Sequence, residues 1–447
     1  MRYRSLGLVM SACLCSALFA GCAGGGSSAT NSSGTVPSAV QRGSVPAEQG
    51  SLGRQVHSGA RRTLTVTACS GTGANAFVGG GISNVAGGAN SFVGSGQGNQ
   101  ACDAVSAIAG GYNNAASGSD VDGFIGGGEY NVLSGADKDS AIVTGDNNGV
   151  SSYNSAIVGG ESNSVAAAYS LVGSGEYDTI STTAEYGAIA GGYQNNLSGE
   201  YGFIGAGISN TVSGEGGYIA AGGYNTVSGE GAVIDGGFNS TAAGTFATVP
   251  GGYVNSAGGT YSFAAGARAS AAQNGTFVWS DGSDGDTILS STAAYQFLAR
   301  ASGGFTLWTN AASTVGARLA PGSGTWASAS DRNLKTDVAR IDDAAVLDKV
   351  ATLPIERWSY KSERGVRHVG PMAQDFYAAF GVGEDDKHIT SIDEDGVALA
   401  AIKALHAENA SLRAQLAALK ASQARHDLLV DRRIERLSVA VTASRER

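Results

Sequence analysis

A pattern that returns every 15 residues constrains this chain more than any other feature. Ile189, Ile204, Ile219, Ile234 and Val249 are spaced by 15, and so are Leu197, Val212, Val227, Ala242 and Ala257. An asparagine series, Asn195, Asn210, Asn225, Asn239 and Asn255, follows with looser steps. The units nearer the N-terminus are less regular, but Ile108, Ile125, Ile157 and Val172 hold the same role. A unit this short cannot bury its apolar side alone, so successive units have to stack. Each has two short apolar strands separated by turns rich in Gly and Asn, residues that accept positive φ. Stacked in parallel about 4.8 Å apart, roughly twelve coils from residue 76 to residue 261 make a rod on the order of 60 Å long.

The 69 glycines follow no strict Gly-X-Y period, which excludes collagen, and the net charge of -10 offers no basic surface for nucleic acid. A calcium-binding nonapeptide roll needs an aspartate at a fixed place in every turn, and these Gly-Gly turns carry Tyr, Gln, Asn or Phe instead. No phosphate loop, hydrolase pair or Cys/His metal spacing is present, so no cofactor is expected. One ladder is a weak cation candidate. Glu200, Glu215 and Glu230 each follow Ser-Gly and should stack one coil apart. Like charges that close are either solvated or bridged by a cation.

A 15-residue coil with two inward apolar positions encloses little volume. One chain alone is expected to leave an apolar face wet, whereas three around an axis share a core. The unit resembles the head repeats of trimeric autotransporter adhesins over about 190 residues. That resemblance implies a homotrimeric, left-handed parallel β-roll; a single-chain solenoid is the alternative. Cys69 and Cys102 are either paired, as an oxidising compartment allows, or two small buried hydrophobes.

Charge marks a boundary. Lys138 is the only Lys or Arg between Ala76 and Tyr261, while the last 118 residues are dense in both signs. The stretch 276–308 reads as short strands, and 321–328 as a Gly/Ser-rich junction. Beyond it the spacing predicts a helix over 344–351, a strand over 355–361 and a helix over 397–419. In the last, Ile402, Leu405, Asn409, Leu412, Leu416 and Leu419 fall at heptad a and d positions. Val430, Ile434, Leu437 and Val441 keep the rhythm after an eleven-residue step, which reads as a stutter.

At the boundary stands Ser330-Asp331-Arg332-Asn333-Leu334-Lys335. It is followed by Leu353-Pro354-Ile355-Glu356-Arg357-Trp358, by His368-Val369-Gly370-Pro371-Met372-Ala373-Gln374-Asp375-Phe376, and by Asp395-Gly396-Val397-Ala398-Leu399. This order resembles the intramolecular chaperone of phage endosialidase tailspikes, a self-cleaving serine peptidase family. The resemblance implies a domain that trimerises, templates the β-rich fibre before it and then cuts itself off. It makes Ser330 the nucleophile and Lys335 its base, with the cut between Ala329 and Ser330. Asp331, His368 and Gln374 are candidates for support. Pro371 replaces the family's usual aliphatic residue, and Asp375 its usual Glu. The chemistry is coherent, since a lysine amine can take a serine proton only when neutral, and burial penalises the ammonium.

The expected fold is mainly β: a trimeric parallel β-solenoid, then a small α/β domain ending in a trimeric coiled coil. By residue number the parts are a signal peptide (1–21), a lipid-anchored tether and cap (22–75), the repeats (76–275), a β-rich neck (276–329), the chaperone (330–400) and the coiled coil (401–447). A fibre that binds or degrades polysaccharide is the alternative to an adhesin-like one. A glycan or cell-surface ligand is the expected partner beyond the trimer itself.

The leader sets the expected location. Arg2 and Arg4 precede the apolar run 6–20, which is too short to span a bilayer, and Ala20-Gly21-Cys22 ends it. The cysteine after small residues resembles a bacterial lipobox, with Phe19 where Leu is usual, and Ala23 after it favours the outer membrane. A plain signal peptide is the alternative. Cys22→Ser is expected to move the protein from the membrane fraction to the soluble one with the fibre intact. Wild-type protein found soluble with an unmodified N-terminus would replace anchoring with plain secretion.

Overall fold

The computed structural model describes residues 68–118, 122–135 and 139–445. The leader, Cys22 and the tether lie outside the described residues. The chain divides into one unit ending at Ala221 and another starting at Gly222.

In the first unit, two-residue strands alternate between two parallel sheets. Phe77–Val78, Phe92–Val93 and Ala107–Ile108 begin one, and Val85–Ala86, Gln100–Ala101 and Ala115–Ala116 the other. The register follows the repeat, with Val78 beside Val93 and Val93 beside Ile108. Where the sequence is irregular, the coil is longer while the pairing holds: Ile108 pairs with Ile125 and Ile125 with Ile142, steps of 17 residues. The added residues go into turns.

The second residue of each strand points inward. Ile108, Ile125, Leu133, Ile157, Ile189 and Leu197 are fully buried. The two apolar series close on each other within one chain, and the apolar face that a single chain is expected to leave wet lies outward. The apolar side chains left in water include first residues of several strands, together with Val143, Val158 and Ile208 outside the strands. Phe77, Phe92, Phe124 and Leu171 are 58%, 41%, 42% and 44% exposed and form an outward row.

A buried amide ladder runs up one corner. The Asn131 Nδ2 donates to the carbonyls of Gly127 (3.1 Å) and Gly145 (2.8 Å), the second in the next coil. Its Oδ1 accepts from both the backbone N–H and the Nδ2 of Asn148, each at 3.1 Å. The tight corner needs glycine: a Cβ on Gly128, at φ +96°, would lie 2.0 Å from the Gly145 carbonyl oxygen. Other positive-φ positions carry bulkier residues than expected. Tyr169, Tyr186 and Tyr201 have φ of 55–59°, and their rings stack at centroid distances of 4.9 and 5.2 Å. Such stacking offsets a backbone cost of about 1 kcal/mol per residue.

Cys69 and Cys102 form a disulfide with Cα atoms 5.5 Å apart, which decides between the two readings of these cysteines. Closing a loop over a separation of 33 residues stabilises by about 3–4 kcal/mol in the chain-entropy account. A Cβ on Gly87 would sit 2.7 Å from the Cys69 Sγ, so the staple needs glycine there.

The second unit opens with the same architecture. Here one rung departs from the expected asparagine series: Asn239 takes a left-handed turn conformation (φ 54°), and Ser240 occupies the ladder. The Ser240 N–H donates to the Asn225 Oδ1 (3.0 Å), and its Oγ accepts from the Asn255 N–H (3.2 Å). The 15-residue step from Asn225 reaches 240, so an asparagine one place early faces outward. Parallel pairing continues past residue 275, from Phe263–Ala267 to Phe277–Asp281 to Phe297–Arg300. An antiparallel sheet follows, made of Phe305–Trp308, Gly316–Leu319 and Trp326–Ser328.

Three helices complete the unit: α1 (Asp343–Thr352), α2 (Ala373–Phe380) and α3 (Ser391–Arg445). Asp342 caps α1 by accepting from the Ala344 and Ala345 N–H groups at 3.0 and 3.2 Å. The α3 helix runs unbroken for 55 residues, through both heptad sets and the eleven-residue step between them. Its N-terminal part packs on α1, burying Ala400 and Ala401, with an ion pair from Lys403 to Asp343. Its heptad residues are bare, Leu405 at 48% and Leu419 at 66% exposure among them.

The amide ladder gives a direct test. Asn131→Ala removes two donors and leaves the Asn148 N–H without its acceptor, at a cost of about 2–4 kcal/mol. Amide exchange at Asn148 and its neighbours should speed up by at least about tenfold. Unchanged exchange would show the rung to be dispensable.

Candidate functional site

The junction at residue 330 is held from both sides. Upstream, Arg318 pairs with Ala327 and Ala317 with Ser328, and the Ala329 N–H donates to the Gly316 carbonyl at 3.1 Å. Downstream, the chain enters a 3-10 turn over Arg332–Leu334. Asp331 caps that turn, accepting from the Asn333 N–H at 2.9 Å and its Nδ2 at 3.1 Å. The Lys335 N–H closes it on the Arg332 carbonyl at 3.2 Å. One short turn therefore brings Lys335 back over Ser330, and the Lys335 Nζ donates to the Ser330 Oγ at 2.7 Å. Both side chains are exposed in the single chain.

The other candidates are set apart. His368 lies on Glu356–Trp358/His368–Gly370, a two-stranded hairpin, directly across from Trp358. Its ring stacks on the indole at 4.7 Å and meets Tyr360 edge-on at 5.6 Å, with the Glu363 carboxylate 3.5 Å from Nε2. Gln374, near the start of α2, lines a cleft of about 770 Å³ with Trp358, Tyr360, Pro371 and Lys387. No hydrogen bond or ion pair among the described residues joins His368 or Gln374 to Ser330 or Lys335. Pro371 lies just before Met372, the N-cap of α2, and Asp375 falls in its first turn, where a negative charge suits the helix dipole.

The segment 330–381 matches a known family model. Its description is "Chaperone of endosialidase". The match opens on Ser330, the first residue of the hydrogen-bonded pair, and ends on Gly381, whose left-handed conformation (φ 63°) terminates α2. It thus spans the turn, α1, the hairpin and α2, and it lies C-terminal to a parallel β-solenoid. A search of curated proteins finds no match to the chain.

In the first unit the acidic ladder begins a coil earlier than its Ser-Gly signal indicates. The Glu185 carbonyl accepts from the Tyr201 N–H at 2.9 Å, and the Glu200 carbonyl from the Gly216 N–H at 2.8 Å. Ala184 precedes Glu185 in place of glycine, which hides this rung from a motif reading. Hydrogen bonding to the Glu200 carboxylate raises the Tyr201 phenol above its ordinary pKa. In the second unit the Glu230 carbonyl accepts from the Phe246 N–H at 2.8 Å. No group of three or more His, Cys, Asp or Glu among the described residues is arranged to hold a metal ion.

Proposed function

We propose that three copies of this chain form an exported surface fibre, that the segment from residue 330 onward sets their register during folding, and that it then cuts itself away. The observation that carries this reading is the 2.7 Å contact between Lys335 and Ser330 at the start of the matched segment. In the proposed reaction the neutral Lys335 amine takes the Ser330 Oγ proton, and Oγ attacks the Ala329 carbonyl carbon. The Ala329–Ser330 C–N bond breaks, the acyl group passes to Oγ as an ester, and the Lys335 ammonium returns the proton to the Ser330 nitrogen. Water then hydrolyses the ester, leaving a carboxylate on Ala329 and a free amine on Ser330.

Such a site works once. In the single chain Ser330 and Lys335 are both open to water. Assembly that covers Ser330 and Lys335 would favour the neutral amine, and so link the cut to completed folding. Trimerisation is supported by the bare heptad stripe of α3 and by the outward row of Phe77, Phe92, Phe124 and Leu171. An adhesive role, with a glycan or surface ligand and a lipid anchor at Cys22, is the favoured version. A polysaccharide-degrading fibre would call for paired carboxylates in a groove, whereas the acids of the first unit run in ladders along its turns.

Wild-type protein should yield a C-terminal fragment of 118 residues on a denaturing gel. Ser330→Ala and Lys335→Ala should each leave the chain whole, yet still trimeric. Asp331→Ala, which loosens the turn, should slow the cut several-fold, whereas Asp331→Asn should retain it because Asn also caps. Normal processing of both Ser330→Ala and Lys335→Ala would remove the dyad.

A chain stopped at Ala329 lacks α3, so its repeats must find register unaided, and parallel pairing of that kind is slow and exposed to aggregation. It is expected to be insoluble or monomeric, while the cleaved full-length product stays a stable trimer. Native trimer recovered from the shortened chain would sink the chaperone role.

A further inference from the structure

One rung of the buried ladder in the first unit is an acid. Asp178 stands 15 residues after Asn163 and 17 before Asn195, and it is fully buried. It keeps half of the asparagine pattern. Its N–H donates to the Asn163 Oδ1 (2.9 Å), and its Oδ1 accepts from the Asn195 N–H (2.8 Å) and Nδ2 (3.0 Å).

The other half fails. In the flanking rungs an amide nitrogen donates to two carbonyls: Asn163 Nδ2 to Gly159 (3.2 Å) and Gly175 (2.9 Å), and Asn195 Nδ2 to Gly191 (3.3 Å) and Gly207 (3.1 Å). In the Asp178 rung the equivalent carbonyls belong to Ser174 and Gly192, and Oδ2 stands where the donor should be. A Cβ on Gly175 would lie 2.2 Å from that Oδ2 and 2.7 Å from the Gly192 oxygen, so both atoms border the same small space. The buried Oδ2 has no hydrogen-bond partner. An ionised carboxylate here would set oxygen against oxygen, with its charge out of water.

Among the described residues of the first unit there is no Lys or Arg to relieve it. The titratable groups at this corner are Glu176 and Tyr177 on the same coil, Glu161 on the coil before and Tyr193 on the coil after, none of them basic. Lys138 is the only Lys or Arg between Ala76 and Tyr261. The core beside the rung is Val165, Ile180 and Leu197.

We propose that Asp178 is a proton-binding site built into the solenoid: in the folded coil it is a neutral acid whose Oδ2–H donates to a backbone carbonyl where asparagine uses its amide. The proton completes the ladder, so this rung is the one place in the corner where stacking depends on pH. Burial pushes the carboxyl above its ordinary value, outweighing the bonds from Asn195 that act to lower it. A raised folded-state pKa fixes the sign. The contribution is full below the unfolded value of about 3.9 and is lost as pH rises through the folded one.

The test is amide exchange on the full chain, read as the local opening constant at Asn195, whose N–H is held by Asp178. In wild type this constant should be flat below about 3.9, rise by up to about tenfold per pH unit between that value and the raised folded one, and level off above it, as a single linked proton requires. Asp178→Asn restores the ladder's own residue, so it should fold and show no such rise. Asp103, whose buried Oδ2 also lacks a partner, lies several coils away, and site-resolved exchange separates the two. The same pH profile in wild type and Asp178→Asn would overturn the proposal. So would wild-type protection that follows added Ca²⁺ or Na⁺ at constant pH, because a cation would then fill the rung.

Discussion

Everything in the repeat region rests on hydrogen bonds passed from coil to coil. At the start of each strand the backbone N–H donates to a carbonyl of the next coil: Phe77 to Ser91 at 3.0 Å, Phe92 to Ser106 at 2.9 Å and Phe124 to Ser140 at 3.0 Å. Strands of two residues cannot hold a register by themselves. The buried amides supply what the strands lack, because each asparagine bonds in two directions and only one alignment satisfies both. The same arrangement explains why apolar residues need be no larger than Ile or Leu. A coil that narrow is filled by one inward side chain from each sheet.

That constraint also sets how the fold was legible. The inward series and the parallel stacking followed from the period alone, since Ile189, Ile204 and Ile219 can share a face only if coils repeat in register. Coil length was less legible, because added residues in a turn leave the pairing untouched, as between Ile108 and Ile125. The asparagine series was misread at Asn239 for a related reason: one place along a turn reverses the side chain, and a sequence pattern read with looser steps does not detect it.

The candidate site was legible in part. Ser330 and Lys335 were singled out through motif order, and the structure adds the reason that their spacing works: a 3-10 turn capped by Asp331 folds the chain back on itself. His368 and Gln374 came from the same motif order, yet in one chain they serve the hairpin and the cleft beside α2. Asp178 was missed, although its spacing from Asn163 and Asn195 would have revealed it. An aspartate at an asparagine position is easily read as a harmless polar substitution. What separates the two is one donor, and its absence matters only where both neighbours are carbonyls and water is excluded.

The two halves of the molecule solve opposite problems. A coil stack adds one rung at a time through contacts 15 or 17 residues apart, but nothing in it selects which rung of one chain should face which rung of another. The 55-residue helix can make that selection, because its apolar stripe is interrupted at Asn409 and shifted by the step between Leu419 and Val430. A polar residue at an a position and a break in the heptad phase both penalise shifted alignments. Under the proposed function, the buried ladders would hold once the coils are stacked, and the helix would have no remaining task. A cut placed between the last sheet and the first turn of the matched segment would separate the part that chooses register from the part that keeps it.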